Sequence, residues 1–303
     1  VDRFHESATE LGRNRQQLVD QTAAVTSRIN EYADRIAELN EAIQSANVGG
    51  SSTADLEDRR GVMLDELSRY VAIDVRSTES GAVEVSVDGT PLVAGVSAQH
   101  LAVTQVVDPA LTPLGLQRVQ MVWASDNRPT TISGGQLAGN LTSANSLLPD
   151  ALTGLDAVAA SLVSAVNTLH LTGNDLGGTT GRAFFDPTGT RASTVALSVD
   201  VAGLPANLAA ASATGGALDT TIAQQIAALG LAPGGPDATY RSFVAQLGTQ
   251  VDAAARRSDV QDSVRERTTS DRAAMTGVSI DEEMVGLVAF QHAYSAAARV
   301  MTT

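Results

Sequence analysis

GVSIDEEMVGLVAFQHAYSAAARVM, residues 277–301, has the pattern of a capped helix with one apolar stripe. Ser279 and Glu282 form a Ser-x-x-Glu capping box, in which the hydroxyl accepts from the amide three residues later and the carboxylate accepts from the cap amide. After this cap, the stripe recurs at alternating spacings of four and three residues: Ile280, Met284, Leu287, Gln291, Tyr294, Ala298 and Met301. That spacing predicts a helix that packs along a second helix.

The other end of the chain carries the same alternation over a longer distance. It runs through Leu11, Arg15, Leu18, Thr22, Val25, Ile29, Tyr32, Ile36, Leu39 and Ile43. A helix over residues 1–46 would be about 70 Å long at a rise of 1.5 Å per residue. We expect the two terminal helices to pack in one bundle, with Leu287 lying against the N-terminal helix between Val25 and Leu39.

The composition excludes several functional classes. The 303 residues carry a net charge of −14, contain no cysteine, and take all of their positive charge from arginine because lysine is absent. Nucleic-acid binding needs clustered cations, so the acidic balance argues against it. The missing residue types exclude P-loop and Schiff-base lysines, thiol nucleophiles, and thiolate zinc or iron–sulfur sites.

The sequence predicts no membrane insertion. It contains no run of about 18 apolar residues, the length that a spanning helix needs, and its first five residues lack the apolar core of a signal peptide. The chain begins without Met and already in a helical pattern. We interpret it as a fragment of a longer protein.

The periodicity divides the chain into five parts. Helical spacing covers 1–70, strand alternation 71–135, helical spacing again 136–172, a mixed glycine-rich segment 173–236, and helical spacing 237–303. The sequence therefore predicts an α+β multidomain protein. Its two ends form an elongated antiparallel helical bundle or coiled-coil rod, with an inserted small β module and a second mixed α/β insert.

Individual elements can be placed within this plan. Strands are predicted at 71–75, 83–87, 92–94, 101–107 and 119–124, and the pair Asp88-Gly89 predicts a hairpin turn. A further strand is predicted at 195–201 and a short helix at 220–229. Pro149 is predicted either to kink the helix of 136–170 or to mark the start of a new one.

Four stretches resemble the family of flagellar hook-associated protein 1, also called the first hook–filament junction protein. The segment 276–300, with Phe290-Gln291 and Tyr294, is similar to a signature of flagellar axial proteins. RRGVMLDELS at 59–68, VAIDV at 71–75 and VDGTPLVAG at 87–95 are similar to segments of this family. GGQLAGNL at 134–141, AVNTLHLTGNDLGG at 165–178 and the diaromatic pair at 184–185 complete the match in the family's order.

The resemblance implies a structural subunit of the bacterial flagellum that joins hook to filament. Such a subunit is exported through the flagellar type III apparatus and is extracellular once assembled. The implied partners are the hook protein, the second hook–filament junction protein, identical subunits in a ring layer, and an export chaperone that binds a tail absent from this chain. The family's N-terminal segment is absent too, and Gly61 stands where the family's motif has Asp.

The predicted functional residues are therefore those of helix packing and assembly. On the N-terminal helix they are Leu18, Val25, Ile29, Tyr32, Ile36, Leu39 and Ile43; on the C-terminal helix they are Ile280, Met284, Leu287 and Tyr294, with Ser279 and Glu282 as the helix cap. We predict no catalytic activity, no cofactor and no metal, because the four histidines (His5, His100, His170 and His292) are scattered without metal-ligand spacing.

Two alternatives stay open at this point. The first is a related flagellar axial protein, either junction protein 3 or a flagellin-like subunit, which would share the C-terminal signature. The second is a secreted hydrolase with a helical stalk. It would need a clustered nucleophile, base or metal triad, and the insert at 173–236 offers only Asp175, Asp186, Asp200 and Asp219 with one histidine nearby.

Overall fold

In the computed structural model the chain forms two compact units, Val1–Phe243 and Val244–Thr303. The structure describes residues 1–216, 218–276 and 280–301, without the side chains at 272–273, 275–276, 280–283, 296 and 298–301. Helices and antiparallel sheets both contribute, so the mixed class predicted from the sequence is confirmed.

The first unit begins with a helical hairpin. Helix α1 spans Asp2–Gly49, 48 residues or about 72 Å, and helix α2 spans Ala54–Tyr70. Gly50 ends α1 because it adopts a left-handed conformation with φ of 69°, and its amide donates back to the carbonyl of Ala46. The stripe that alternates by three and four lies on the inner side of α1, where most of its members are buried.

Two small antiparallel sheets follow the hairpin. The first has the order β1-β2-β3-β4, with β1 at Asp74–Ser77, β2 at Val83–Val87, β3 at Thr90–Ala94 and β4 at Ser97–Ala98. The second has the order β5-β6-β7, with β5 at Leu101–Val106, β6 at Arg118–Trp123 and β7 at Pro129–Thr130. Asp88 and Gly89 both have positive φ and turn β2 into β3, as a two-residue hairpin loop requires.

One hydrophobic core joins the hairpin to both sheets. Ile29 and Ile36 of α1 lie in it with Leu67 of α2, Val85 of the first sheet and Trp123 of the second. Burying each large apolar side chain of this kind stabilises the fold by about 1.5–3 kcal/mol. The stretch of α1 between Val25 and Leu39, where we expected Leu287, is therefore covered by strands and by α2. The stripe on α1 packs against apolar, partly β-branched residues of β2 and β3.

A bent helical stretch, Gly135–His170, follows the sheets. It consists of α3 at Gly135–Thr142, a π-helical turn at Ser143–Leu147, and α4 at Leu148–His170. Pro149 is the second residue of α4, because a proline without N–H is tolerated in the first turn of a helix. The break predicted at this proline therefore takes the form of a π-helical turn just before it.

The stretch Gly135–His170 is also the one helix in the described part of the chain that is long and apolar enough to cross a membrane by length and composition. The core helix of a soluble protein meets the same criterion. Here Leu137, Leu155 and Ala159 pack in cores that contain residues of α1.

Turns and short helices make up the segment between α4 and the next long helix. Helix α5 spans Thr221–Ala228, close to the prediction. The strand predicted at 195–201 is wrong: the described residues there form turns, with a single bridge between Phe185 and Leu197. The pairing stops because Pro187 cannot donate to a ladder and Gly189 already lies in a turn closed on Asp186.

Two further helices complete the chain. Helix α6 spans Pro236–Thr276 and helix α7 spans Ile280–Met301. The first turns of α6 belong to the first unit, where Phe243 packs beside Leu155 and over Gly154, a position at which a Cβ would lie 2.5 Å from the Phe243 ring. The predicted capping box at Ser279 and Glu282 lies outside the residues and side chains that the structure describes.

Candidate assembly surface

The large apolar side chains that the structure describes on α7 lie on the surface of the second unit. Met284 is 57% exposed, Leu287 58% and Tyr294 80%. Val285, Val288 and Phe290 are exposed too, so the apolar surface extends well beyond one narrow stripe. A helix that is apolar over most of its circumference is normally covered on more than one side. These six residues form what we call the α7 face.

Helix α6 also has exposed apolar residues. Beyond Phe243 it exposes Val244, Leu247, Val251, Val260 and Val264 along its length. Exposed apolar residues on this scale mark interaction surfaces in soluble proteins. Ile280 lies in α7, but its side chain is outside the described part, and so are those of Ala298 and Met301.

The packing residues predicted on α1 occupy a different setting. Val25, Ile29, Ile36 and Ile43 are buried inside the first unit, and Leu18, Tyr32 and Leu39 are half-buried. Tyr32 stacks on Tyr70 of α2 with ring centroids 5.8 Å apart. Their contacts within the first unit account for the burial of these residues.

Three polar side chains anchor α1 to the rest of the first unit. Arg15 donates from Nε to the carbonyl of Ala144 at 2.8 Å and from Nη2 to the carbonyl of Gln117. Asn30 donates to the carbonyl of Leu101 at 2.9 Å and accepts from its amide at 2.9 Å, which mimics a strand partner. Burial lowers the pKa of the Arg15 guanidinium from its ordinary value.

The third anchor is Asn40, which is 0% exposed. Its Nδ2 donates to the carbonyls of Val83 at 2.8 Å and Gly95 at 2.6 Å, and its Oδ1 accepts from the amide of Val83 at 3.0 Å. The same Oδ1 accepts from Nη1 of Arg60 at 2.9 Å, and burial lowers the pKa of that guanidinium. Nη1 of Arg60 also donates to the carbonyl of Gly81 at 2.8 Å, so an amide oxygen and a carbonyl oxygen accept from this guanidinium.

Polar residues in the stretch 165–178 hold the next segment against the end of α4. Asn167 accepts from the amides of Phe184 and Phe185 and donates to the Phe185 carbonyl at 2.9 Å. Asp175 accepts from the amides of Gly177 and Thr179, and its other oxygen lies 3.2 Å from Nε of Arg182. The motif singled out in the sequence thus has a positioning role for the backbone that follows it.

An open groove of about 840 Å³ runs between α1 and α2. Its floor is apolar, with Leu39, Ala42, Val62 and Met63, and its rim carries both signs of charge. Within the described residues no three His, Asp or Glu side chains converge in a way that could hold a metal ion. Of the histidines noted in the sequence, His5 lies on α1, His100 lies in the loop before β5, and His292 is exposed on α7.

Residues 1–185 match the family model described as the flagellar hook-associated protein FlgK helical domain. This match covers more than half of the 303 residues. The chain belongs to the FlgK family. Residues 272–303, which include α7, match a second model, the flagellar basal body rod FlgEFG protein C-terminal region. The resemblance seen in the sequence motifs is therefore confirmed, and it is favoured over the other axial proteins and over a secreted hydrolase.

The individual FlgK relatives have low sequence identity to this chain, but the aligned regions are long. Flagellar hook-associated protein 1 of Bacillus subtilis is 26% identical over 315 residues, which covers 90% of this chain and 61% of the relative. The Escherichia coli protein of the same name is 30% identical over 190 residues, covering 61% of this chain and 34% of the relative. The chain thus spans less than two thirds of the length of the curated relatives it matches.

A solved structure supports the fold. The flagellar hook junction protein FlgK from Burkholderia pseudomallei has a TM-score of 0.51 and 27% identity, and the match covers 60% of this chain and 33% of that chain. FlgK homologues are parts of the bacterial flagellum, and this chain is a member of that family of structural proteins.

Sequence reasoning missed the polar anchors. Arg15 was read only as a member of an apolar alternation, and Asn30 and Asn40 were given no role. A signal was present, because Asn40 lies four residues after Ile36 and three before Ile43, on the stripe that has to be buried. A polar side chain at such a position needs partners.

Proposed function

We propose that this chain is part of a structural subunit that joins the hook to the filament of a bacterial flagellum. The FlgK match over residues 1–185 carries this proposal, and the exposed α7 face supports it. The subunit is exported through the flagellar type III apparatus and assembles outside the cell. Its role is structural rather than catalytic, and its partners are the hook protein, the second junction protein, identical subunits and an export chaperone.

The α7 face is proposed as the surface through which the subunit joins its axial layer by helix packing. Six exposed apolar residues on one helix would expose a large area to water in an isolated chain, and covering them in an assembly would be favourable by roughly 25 cal/mol per Å². In the assembled state we propose a coiled-coil rod built from long helices, with the strand region 71–135 and the segment 173–236 outside it, and the helical parts 1–70, 136–172 and 237–303 forming it.

The test uses the full-length protein in a motile host from which its gene has been deleted. A triple variant, Met284→Ser, Leu287→Ser and Tyr294→Ser, is compared with Val48→Ser, an exposed apolar residue at the end of α1. We expect the triple variant to be exported and folded but to leave hooks without attached filaments, with filament protein released into the medium. The Val48 control is expected to restore motility.

Attached filaments and normal swimming with the triple variant would contradict the role of the α7 face. Attached filaments in the strain that lacks the gene altogether would contradict the junction function itself. The two failures are distinguishable because one is read in the variant and the other in the deletion strain.

A further inference from the structure

His170 is a buried histidine whose two ring nitrogens face opposite kinds of partner. It is the last residue of α4 and is 1% exposed. Nδ1 lies 2.8 Å from the carbonyl oxygen of Arg182, and the amide of Ala209 donates to Nε2 at 2.9 Å. A carbonyl can only accept and an amide N–H can only donate, so these partners require the neutral ring with its proton on Nδ1.

The ring connects the end of α4 to two places in the segment that follows, which has little regular structure of its own. It ends α4, it holds the backbone at Arg182, and it holds the backbone at Ala209. Its edge also packs against the Phe184 ring, with centroids 5.5 Å apart. One helical turn earlier, Asn167 holds the same stretch at 184–185, so the end of α4 positions the segment 173–211 through two polar side chains.

We propose that His170 is a pH-sensitive latch, which holds the segment 173–211 against the end of α4 and releases it when the ring takes up a second proton. A proton on Nε2 points an N–H at the amide N–H of Ala209. The hydrogen bond is then lost, two donors oppose each other, and a cation is enclosed in a buried site. Opening the segment lets water solvate the charged ring.

The segment 173–211 carries the charged residues Asp175, Arg182, Asp186, Arg191 and Asp200, and several of them have partners of their own. The last two turns of α4 carry no other charged residue, and neither does the stretch 204–211. In the loop after α4, Asp175 is paired with Arg182 at 3.2 Å. Asp186 accepts from Thr188, and Asp219 accepts from Ser212 and Thr221. Ordinary carboxyl groups titrate near pH 4, so they stay ionised between pH 7.5 and 5.5.

The other histidines provide matched controls, because their described contacts tolerate a charged ring. Nε2 of His5 lies 2.9 Å from the carbonyl of Val195, and Nε2 of His100 lies 2.8 Å from Oδ1 of Asp34. Both partners are acceptors, which bind a protonated ring at least as well as a neutral one. His292 is exposed on α7.

Two measurements on the whole chain test the latch. Nitrogen-15 NMR of labelled histidine at pH 7.5 should show one ring protonated at Nδ1 and unprotonated at Nε2. Hydrogen exchange of the amides in 173–211, corrected for the intrinsic exchange rate, should then show an opening equilibrium constant that rises as pH falls from 7.5 to 5.5. Uptake of one proton on opening limits this rise to about tenfold per pH unit.

His170→Gln keeps a polar, uncharged side chain, and its opening constant should not change over the same pH range. His100→Gln, whose contact with Asp34 lies outside the segment, should retain the pH dependence of the unaltered chain. A His170 ring protonated at Nε2 at pH 7.5, or opening that is independent of pH in the unaltered chain, would overturn the proposal. The unaltered chain gives this answer even if His170→Gln fails to fold.

Discussion

Replacing Asn40 by alanine tests whether the first unit depends on its buried polar anchors. The side chain is fully buried in contact with β2 and the loop after β3. Its NH₂ group donates to the carbonyls of Val83 and Gly95, and its oxygen accepts from the amide of Val83 and from the guanidinium of Arg60. These are four hydrogen bonds in all. Alanine removes all four and leaves these groups in a site that a water molecule would have to enter to satisfy them.

The expected loss of stability follows from those four bonds. A typical intramolecular hydrogen bond contributes about 0.5–1.5 kcal/mol net, so four give roughly 2–6 kcal/mol. Small domains unfold with a total of about 5–15 kcal/mol, so this loss is a large fraction of the stability of the first unit. With a urea slope of about 3 kcal/mol per molar, the unfolding midpoint should fall by roughly 0.7–2 M.

The fluorescence of Trp123 reports this change, because it is the chain's one tryptophan and lies in the same core as α1 and β2. Urea titration of the whole chain should therefore follow the first unit. Asn47→Ala is the matched control: the same substitution on the same helix, at an exposed asparagine, should change stability by at most about 0.5 kcal/mol. An Asn40→Ala midpoint equal to that of the control would refute the anchoring role.

Three further predictions follow from the geometry. Gly135→Ala should lower the melting temperature by several degrees or prevent folding, because φ is +77° and a Cβ would lie 2.5 Å from the backbone of residues 70–71. The control is Gly139→Ala, in open space on the same helix. It should be neutral or stabilising by up to about 1 kcal/mol. Leu287→Asp should melt within about 1 °C of the unaltered chain, because the side chain is already exposed; a drop of several degrees would show that α7 is covered within the chain. Hydrogen bonds from two hydroxyls and two amides lower the pKa of Asp219. Its contribution to the stability of the fold should therefore be present above about pH 4 and vanish as pH falls through the lowered pKa. Equal exchange rates for the neighbouring amides in the unaltered chain and in Asp219→Asn at pH 6 would contradict this.

The sequence predicted the regular elements of the first unit well, for a physical reason. Periods of 3.6 and 2 are imposed by burial of one face, and α1, β2 and β6 each bury one face in the same core. The turn at Asp88-Gly89 was also predictable, because few residue pairs accept two successive positive φ values.

The partners of these faces were not predictable in the same way. The alternation along α1 is compatible with a helix or with a sheet of β-branched residues, and only the tertiary structure shows that Val85 and Leu92 fill this place. The segment after α4 misled the strand prediction, because its order comes from isolated polar contacts such as those of Asn167, which have no period in the sequence. The π-helical turn before Pro149 likewise has no signature beyond the proline itself.

The anchors of α1 have a mechanical consequence. Arg15, Asn30 and Asn40 are separated along the helix by about 22 Å and 15 Å, and each is bonded to the backbone of a different element. A force directed along the helix axis would load these contacts in shear, so that all of them must break together before the helix can slide. A peeling force at either end would instead break them one after another. The first unit should therefore resist axial tension far better than lateral peeling, a difference that pulling a single molecule from the two directions would measure.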